Sequence, residues 1–322
     1  VRTLSAKNGK GAKEQNRPFR DATTAGEAAF LILDAQLARF LGYEEPVLKT
    51  DEPEAVHQMR VSARRMRAAF ESFSVFLPKS LLALEADLEW IFHELGEIRD
   101  LDVEIKLVVD GGDEEDAPGP AAELAAWFQQ NRKTAKQRLI KDLESERYAE
   151  LKRKLKASIG KGPPASGLAP TPLLAVAPDL VIRQGTAVRD DGRKITLASP
   201  DADYHHLRRT AKKFRYTLDF FAELYGEDAA RVTETLKVLQ DVLGERQDTV
   251  VLEARLRGLL EKEALSAEAS RFAKKFLEKL ERREAHEERE FKDAFQPVFG
   301  KRWKALKQAM TQRRRDLWAQ SR

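Results

Sequence analysis

The chain has 322 residues, 42% apolar and 34% charged, with 57 Lys and Arg against 53 Asp and Glu and no cysteine. This supports a packed core, excludes disulfides and thiolate metal sites, and points to a reducing compartment. The net charge is only +4, too small for a chain that is basic from end to end, so the placement of charge carries the information.

Residues 1–19 are polar and rich in Lys and Gly, which reads as a disordered basic N-terminus without the apolar segment of a secretory signal. Ala25 to Leu41 reads as a strongly apolar helix with Thr23 or Thr24 as its N-cap. Asp51-Glu52-Pro53 opens a second helix, whose body from Val56 to Phe73 holds no Pro or Gly and which Pro78 stops. Ser80 to Val109 forms a long helix turning Trp90, Phe92 and Leu95 toward a core, and 111–120 (GGDEEDAPGP) is a loop. Helices follow at Ala121–Leu143 and Ser145–Ser158. Residues 160–172 (GKGPPASGLAPTP) are the clearest linker, dividing a first helical bundle, 20–159, from a second, 173–310. In the second, Pro178 interrupts a helix from Leu173 to Val188, and Ser199-Pro200-Asp201 repeats the proline entry into a helix ending at Phe221. Asp228–Leu260 and Ser266–Phe295 are long helices. Pro297 and Gly300 then break the chain, Lys301 onward closes it, and 311–322 form a basic C-terminal tail. Strand signals are scarce and no apolar run approaches the ~18 residues of a membrane span. The expectation is an all-α, cytoplasmic protein with no membrane contact.

The helix at 56–73 (VHQMRVSARRMRAAFESF) carries an unusual row. At about 100° per residue, His57, Arg60, Arg64 and Arg67 fall within an arc of roughly 80°, beside an apolar stripe of Met59, Ala63, Met66, Phe70 and Phe73. No carboxylate interrupts the row, whereas a helix wanting only solubility intersperses Glu with Lys. The pattern returns at 204–221 (YHHLRRTAKKFRYTLDFF): His205, Arg208, Lys212 and Arg215 each lie 148 residues after their counterparts, and Arg65 is matched by Lys213. Leu95-Gly96-Glu97-Ile98-Arg99-Asp100 and Leu243-Gly244-Glu245-Arg246-Gln247-Asp248 keep the same offset. A constant offset across two segments reads as a tandem duplication.

These strings resemble the CHAD domain, the conserved histidine α-helical domain. The paired His-x-x-Arg-x-x-x-basic-basic-x-Arg helices and the Leu-Gly-x-x-Arg-Asp segment carry the resemblance, which runs from about Arg20 to Met310. It implies two related antiparallel helical bundles with pseudo-twofold symmetry around a basic central channel, and binding of inorganic polyphosphate there. Gln247 departs from the pattern where the first half has Arg99.

Arginine forks grip phosphate oxygens and lysine acts as a point charge. The residues expected to bind are therefore His57, Arg60, Arg64, Arg65, Arg67, His205, Arg208, Lys212, Lys213 and Arg215. Arg99, Arg132, Lys136, Arg282, His286 and Arg289 stand at spacings that extend the lining, or else join surface ion-pair networks. Asp100 and Asp248 orient an arginine of the basic row, or are plain surface acids. Gly96 and Gly244 permit close helix packing, and Tyr148 and Trp303 read as core anchors. The five His include no i,i+4 pair, and no phosphate-cradling glycine loop or catalytic triad can be assembled. No metal, cofactor or catalytic residue is expected. Three readings remain open: a non-catalytic polyphosphate-binding module acting at polyphosphate granules, a general polyanion or nucleic-acid binder, and a helical scaffold whose basic rows pair with neighbouring acids.

Overall fold

The computed structural model describes residues 23–111, 118–196 and 198–320, with side chains for all of these except 118, 283–288 and 320. The expected disordered segment 1–19 lies outside the described residues. In chain order the helices are α1 (Ala25–Gly42), α2 (Glu44–Lys49), α3 (Pro53–Ser72), α4 (Lys79–Leu82), α5 (Glu85–Gly111), α6 (Pro118–Leu143), α7 (Glu146–Gly160), α8 (Leu173–Gly192), α9 (Asp201–Phe220), α10 (Ala222–Glu261), α11 (Ala267–Val298) and α12 (Lys301–Gln320). Among the described residues there is no strand, only an isolated bridge between Thr24 and Pro172. No described helix is long and apolar enough to cross a membrane.

Local chemistry sets most of the boundaries. Thr24 closes a capping box on α1, accepting from the Glu27 amide at 3.2 Å while Glu27 accepts from the Thr24 amide at 2.7 Å. Pro53 starts α3 and Pro200 precedes α9, where a missing N–H costs nothing. Ser145 and Ser266 cap α7 and α11.

Several elements differ from expectation. The stretch from Ser80 to Val109 divides into α4 and α5 at Ala83–Leu84. The expected loop at 111–120 narrows, because α5 reaches Gly111 and α6 starts at Pro118. Pro178 is buried inside α8 without ending it, forgoing only the bond its N–H would give the Leu174 carbonyl. α10 begins at Ala222, and Gly226 (φ 51°, ψ −127°) supplies the kink that separates its first turn from the long helix beyond. α2 is additional. Buried Lys136 donates to the carbonyls of Val47 and Thr50 (3.0 Å to the latter) and so satisfies its C-terminal end.

The two chain segments expected to be loose are fastened. Within 160–172, the carbonyls of Thr171 and Ala169 accept from Ala25 and Gly26 at 2.8 and 2.9 Å, serving first-turn amides of α1. Gly26 is required there, since a Cβ would lie 2.9 Å from that of Ala169. Residues 311–320, read as a tail, continue α12: Arg314 grips Asp179 of α8 with both Nη atoms (3.3 and 2.8 Å) and Leu317 packs on the core. Tyr148 and Trp303 are buried as expected.

α3 and α9 meet at their C-terminal ends. The rings of Phe73 and Phe221 lie 5.7 Å apart, both fully buried, and Ser72 and Thr217 hydroxyls are 3.3 Å apart. Around them Arg65 pairs with Asp219 at 3.5 Å and Lys213 with Glu71 at 2.7 Å. Arg65 and Lys213 are counterparts at offset 148, as are Glu71 and Asp219, so the contact is reciprocal in the manner of an isologous interface. The half-exposed ion pairs add little stability, and the buried ring contact carries the junction. Phe73→Ala is expected to destabilise the chain by about 3–5 kcal/mol in urea denaturation, whereas Glu71→Ala changes it by less than about 1 kcal/mol.

Candidate functional site

The basic row of α3 faces α5. A Cβ on Gly96 would stand 3.3 Å from Arg60 Nε, so the glycine lets the guanidinium lie against the α5 backbone. Phe92, one turn earlier on the same face of α5, lies beneath three guanidinium groups: Arg60 at 4.8 Å, Arg67 at 5.0 Å and Arg64 at 5.7 Å from its ring centroid. The ring orders these cations without neutralising them. Phe92 and Trp90 are half-buried and pack against the core as expected, and Phe92 has in addition the role of a platform for guanidinium groups, for which its spacing of four from Gly96 was the available signal. Trp90 lies under Arg147 at 4.1 Å, and only Leu95 of the three is fully buried.

The second half holds its row differently. Gln240, the counterpart of Phe92, accepts from Arg215 Nε at 2.7 Å and donates to the Ala211 carbonyl at 2.8 Å. Nothing lies within 4 Å of a Cβ built on Gly244, so the close packing expected at both glycines occurs only at Gly96. Arg67 donates to Glu89 at 2.5 Å and Arg215 to Asp219 at 3.2 Å, so the ends of both rows are partly compensated.

The middle of each row is not. Arg60, Arg64 and Lys212 have no carboxylate within ion-pair distance among the described residues, and Arg208 Nη2 lies 3.9 Å from Asp248 Oδ1. The Nε atoms of Arg60 and Arg208, counterparts in the two halves, are both buried with no acceptor. The Nε of Arg67, whose Nη2 grips Glu89, is buried without an acceptor as well, so this condition follows from packing the guanidinium stems against neighbouring helices.

Electrostatics mark the same place. Burial, with Arg64 and Arg208 alongside, pulls the Lys212 ammonium down to about 6. Burial also lowers Arg208, with Arg64 adding to the effect. Asp100 is exposed at the surface, and crowding by neighbouring protein still pushes its carboxyl up against the pull of Arg208, Arg255, Arg64 and Lys212. Asp248 is raised by burial and by Asp100. Buried Glu104, paired with Arg255 at 2.8 Å, rises to about 7, chiefly through burial. Arg255 and Glu104 were missed, although Glu104 stands one turn from Asp100 and Arg255 two turns from Asp248.

The remaining expected residues divide. Arg99 sits beside His57, which burial and then Arg99 push down, and it also faces Asp248. Its counterpart Gln247 instead accepts from His205 Nδ1 at 2.5 Å. Arg65 and Lys213 belong to the α3–α9 ion pairs. Arg132 donates to Asp102 at 2.5 Å and to the Asp51 carbonyl at 3.1 Å, and Lys136 is committed to the end of α2. Arg282 is 80% exposed near Glu278 on α11, and Arg289 is exposed on the same helix. The His286 side chain lies outside the described residues. Of the additional lining residues, Arg99 alone joins the central cluster. No described group of three or more His, Cys, Asp and Glu is placed to hold a metal ion.

The cluster can hold a multiply charged anion by guanidinium forks from both halves. Its empty form carries a cost that titration exposes. Lys212 has a depressed folded pKa, so its charge penalises folding fully below about pH 6, and the penalty fades as pH climbs toward the ordinary lysine value of about 10. Lys212→Met is therefore expected to raise the melting temperature most at pH 5–6, with the gain shrinking as pH rises; a pH-independent change contradicts this.

Residues 31–257 match the CHAD domain family. An uncharacterized protein of Mycobacterium tuberculosis (strain CDC 1551 / Oshkosh) is 30% identical over 226 residues, and one from strain ATCC 25618 / H37Rv is 28% identical over 233. Each match takes in 67% of this chain but only 42% of the relative's length. The crystal structure of the CHAD domain from the plant Ricinus communis aligns with a TM-score of 0.75 at 24% identity, covering 91% of this chain and 98% of that one. PptA from Streptomyces chartreusis aligns with a TM-score of 0.67 at 16% identity, covering 85% and 99%. On residues 31–257, which hold both basic rows, the chain belongs to the CHAD domain family.

Proposed function

We propose that the chain binds inorganic polyphosphate, without converting it, in a basic channel to which α3 and α9 contribute the principal donors. The observation that carries this reading is that the middle of each row, Arg60 and Arg64 on α3 and Arg208 and Lys212 on α9, makes no close ion pair among the described residues, the nearest approach being Arg208 to Asp248 at 3.9 Å. Arg64 and Lys212 add charge that no carboxylate cancels directly, and the family's association with polyphosphate-related proteins agrees. A linear chain of phosphates suits such a site because each unit offers the same oxygens, so no side chain has to read a sequence. The acids at the centre are set among cations as counter-charges, an arrangement for holding an anion. As a module of this kind the chain serves as an accessory or targeting factor at polyphosphate granules in the cytoplasm.

A second reading, a general polyanion or nucleic-acid binder, draws on α12, where exposed Arg313 and Arg315 flank a turn carrying Trp318, itself 58% exposed. Aromatic and basic side chains together favour single strands. Titration with long-chain polyphosphate at two salt concentrations, with single-stranded DNA of matched charge as competitor, separates the two. The proposal expects salt-sensitive binding that DNA does not displace; equal displacement favours the second reading. Replacing Arg60, Arg64, Arg208 and Lys212 together by Ala is expected to weaken polyphosphate binding by at least about 1,000-fold while leaving helicity intact. Undiminished affinity in that variant rules the cluster out.

A further inference from the structure

Two carboxylates stand inside a cluster otherwise made for anions. Facing Asp100 are Arg64 of α3, Arg208 and Lys212 of α9, Arg255 and Asp248 of α10, and Glu104 one turn along α5. Facing Asp248 are Arg208, Lys212, Arg99 and Asp100. Arg208 and Lys212 are thus shared by both acids.

An acid that positions an arginine grips it. The protein has such grips elsewhere: Arg132 to Asp102 at 2.5 Å and Arg246 to Asp201 at 2.6 Å. Asp100 and Asp248 do not behave this way. The Arg208–Asp248 approach of 3.9 Å is too long for a hydrogen bond, and Asp100 makes no ion pair at contact distance among the described residues. Standing back, they offset the field of the cations while leaving the guanidinium N–H groups open.

The geometry points to Asp100 and Asp248 as resident counter-ions that compete with an incoming anion for the cations and limit how tightly a polyanion is held. This rests on the reading of the cluster as the anion site. A fixed carboxylate lowers the potential felt by every phosphate within reach, so its penalty grows with the number of phosphates in contact, and the pair limits how tightly a chain of phosphates is held. A role in orienting arginine predicts the opposite sign: removing the acid would then weaken binding.

The test is titration of the full chain and of Asp100→Asn, Asp248→Asn and the double variant with long-chain polyphosphate and, separately, with orthophosphate at low salt. Near pH 7.5 each single variant is expected to bind polyphosphate about tenfold more tightly, with a smaller gain for orthophosphate, which places fewer charges near the acids. The wild-type disadvantage shrinks as pH falls, because protonation of the raised carboxyls neutralises the competitors. Weaker or unchanged binding with an unaltered pH profile overturns the inference, and either single variant suffices if the double variant does not fold. If the wild-type chain binds neither anion, the polyphosphate reading itself fails and this inference falls with it.

Discussion

Positive charge gathered in a partly buried space repels itself, and the centre of this protein is organised around tolerating that. Arg64, Arg208 and Lys212 converge where α3, α5, α9 and α10 meet, with Arg60 one turn before Arg64 on α3, and burial together with Arg64 and Arg208 depresses Lys212. Three devices keep the cluster together without cancelling it. Phe92 stacks under three arginines, Asp100 and Asp248 offset the charge from a distance, and the close ion pairs stand at the ends of the rows. The buried Phe73–Phe221 contact locks the two basic helices end to end, so the cations cannot relax by moving apart.

The halves present matched donors by unmatched means. Phe92 gives way to Gln240, Arg99 to Gln247, and the tight approach at Gly96 to open space at Gly244. In consequence His57 sits beside a cation that discourages its protonation, while His205 is hydrogen-bonded by a neutral amide. What the two halves keep in common is a mid-row pair of cations, Arg60 with Arg64 and Arg208 with Lys212, that makes no close ion pair among the described residues. The differences lie in the support behind those cations.

Much of this was legible in the sequence. The all-α architecture, the boundaries of α1 and α9 and the start of α3 followed from capping residues, proline entries and uninterrupted helical periodicity, which are local signals; α3 itself ends at Ser72, a 3-10 turn at Ser74–Phe76 separating it from the expected stop at Pro78. α2 was illegible because six residues containing Pro46 carry no period, and its end is satisfied by Lys136 from 86 residues further on. The same tie removes Lys136 from the lining, and Asp102 does so for Arg132: helical spacing shows which residues share a face but not what lies opposite. Phe92 illustrates this limit, since an aromatic at core spacing looks alike whether it meets leucine or guanidinium. Asp100 and Asp248 were found by their repeat, but their role depends on cations of both halves and on distances that only the folded chain defines.

The central claim is that a polyphosphate chain sits against Lys212 and its neighbours, and proton linkage tests it most directly. Calorimetric titration near pH 7 in buffers of different ionisation enthalpy measures protons exchanged on binding. A bound polyanion restores the charge of Lys212 and favours the protonated forms of His57, Asp100 and Glu104, so the account predicts a net uptake on the order of one proton per chain. Binding with no uptake, or with release, would place the anion elsewhere on the molecule and contradict the account.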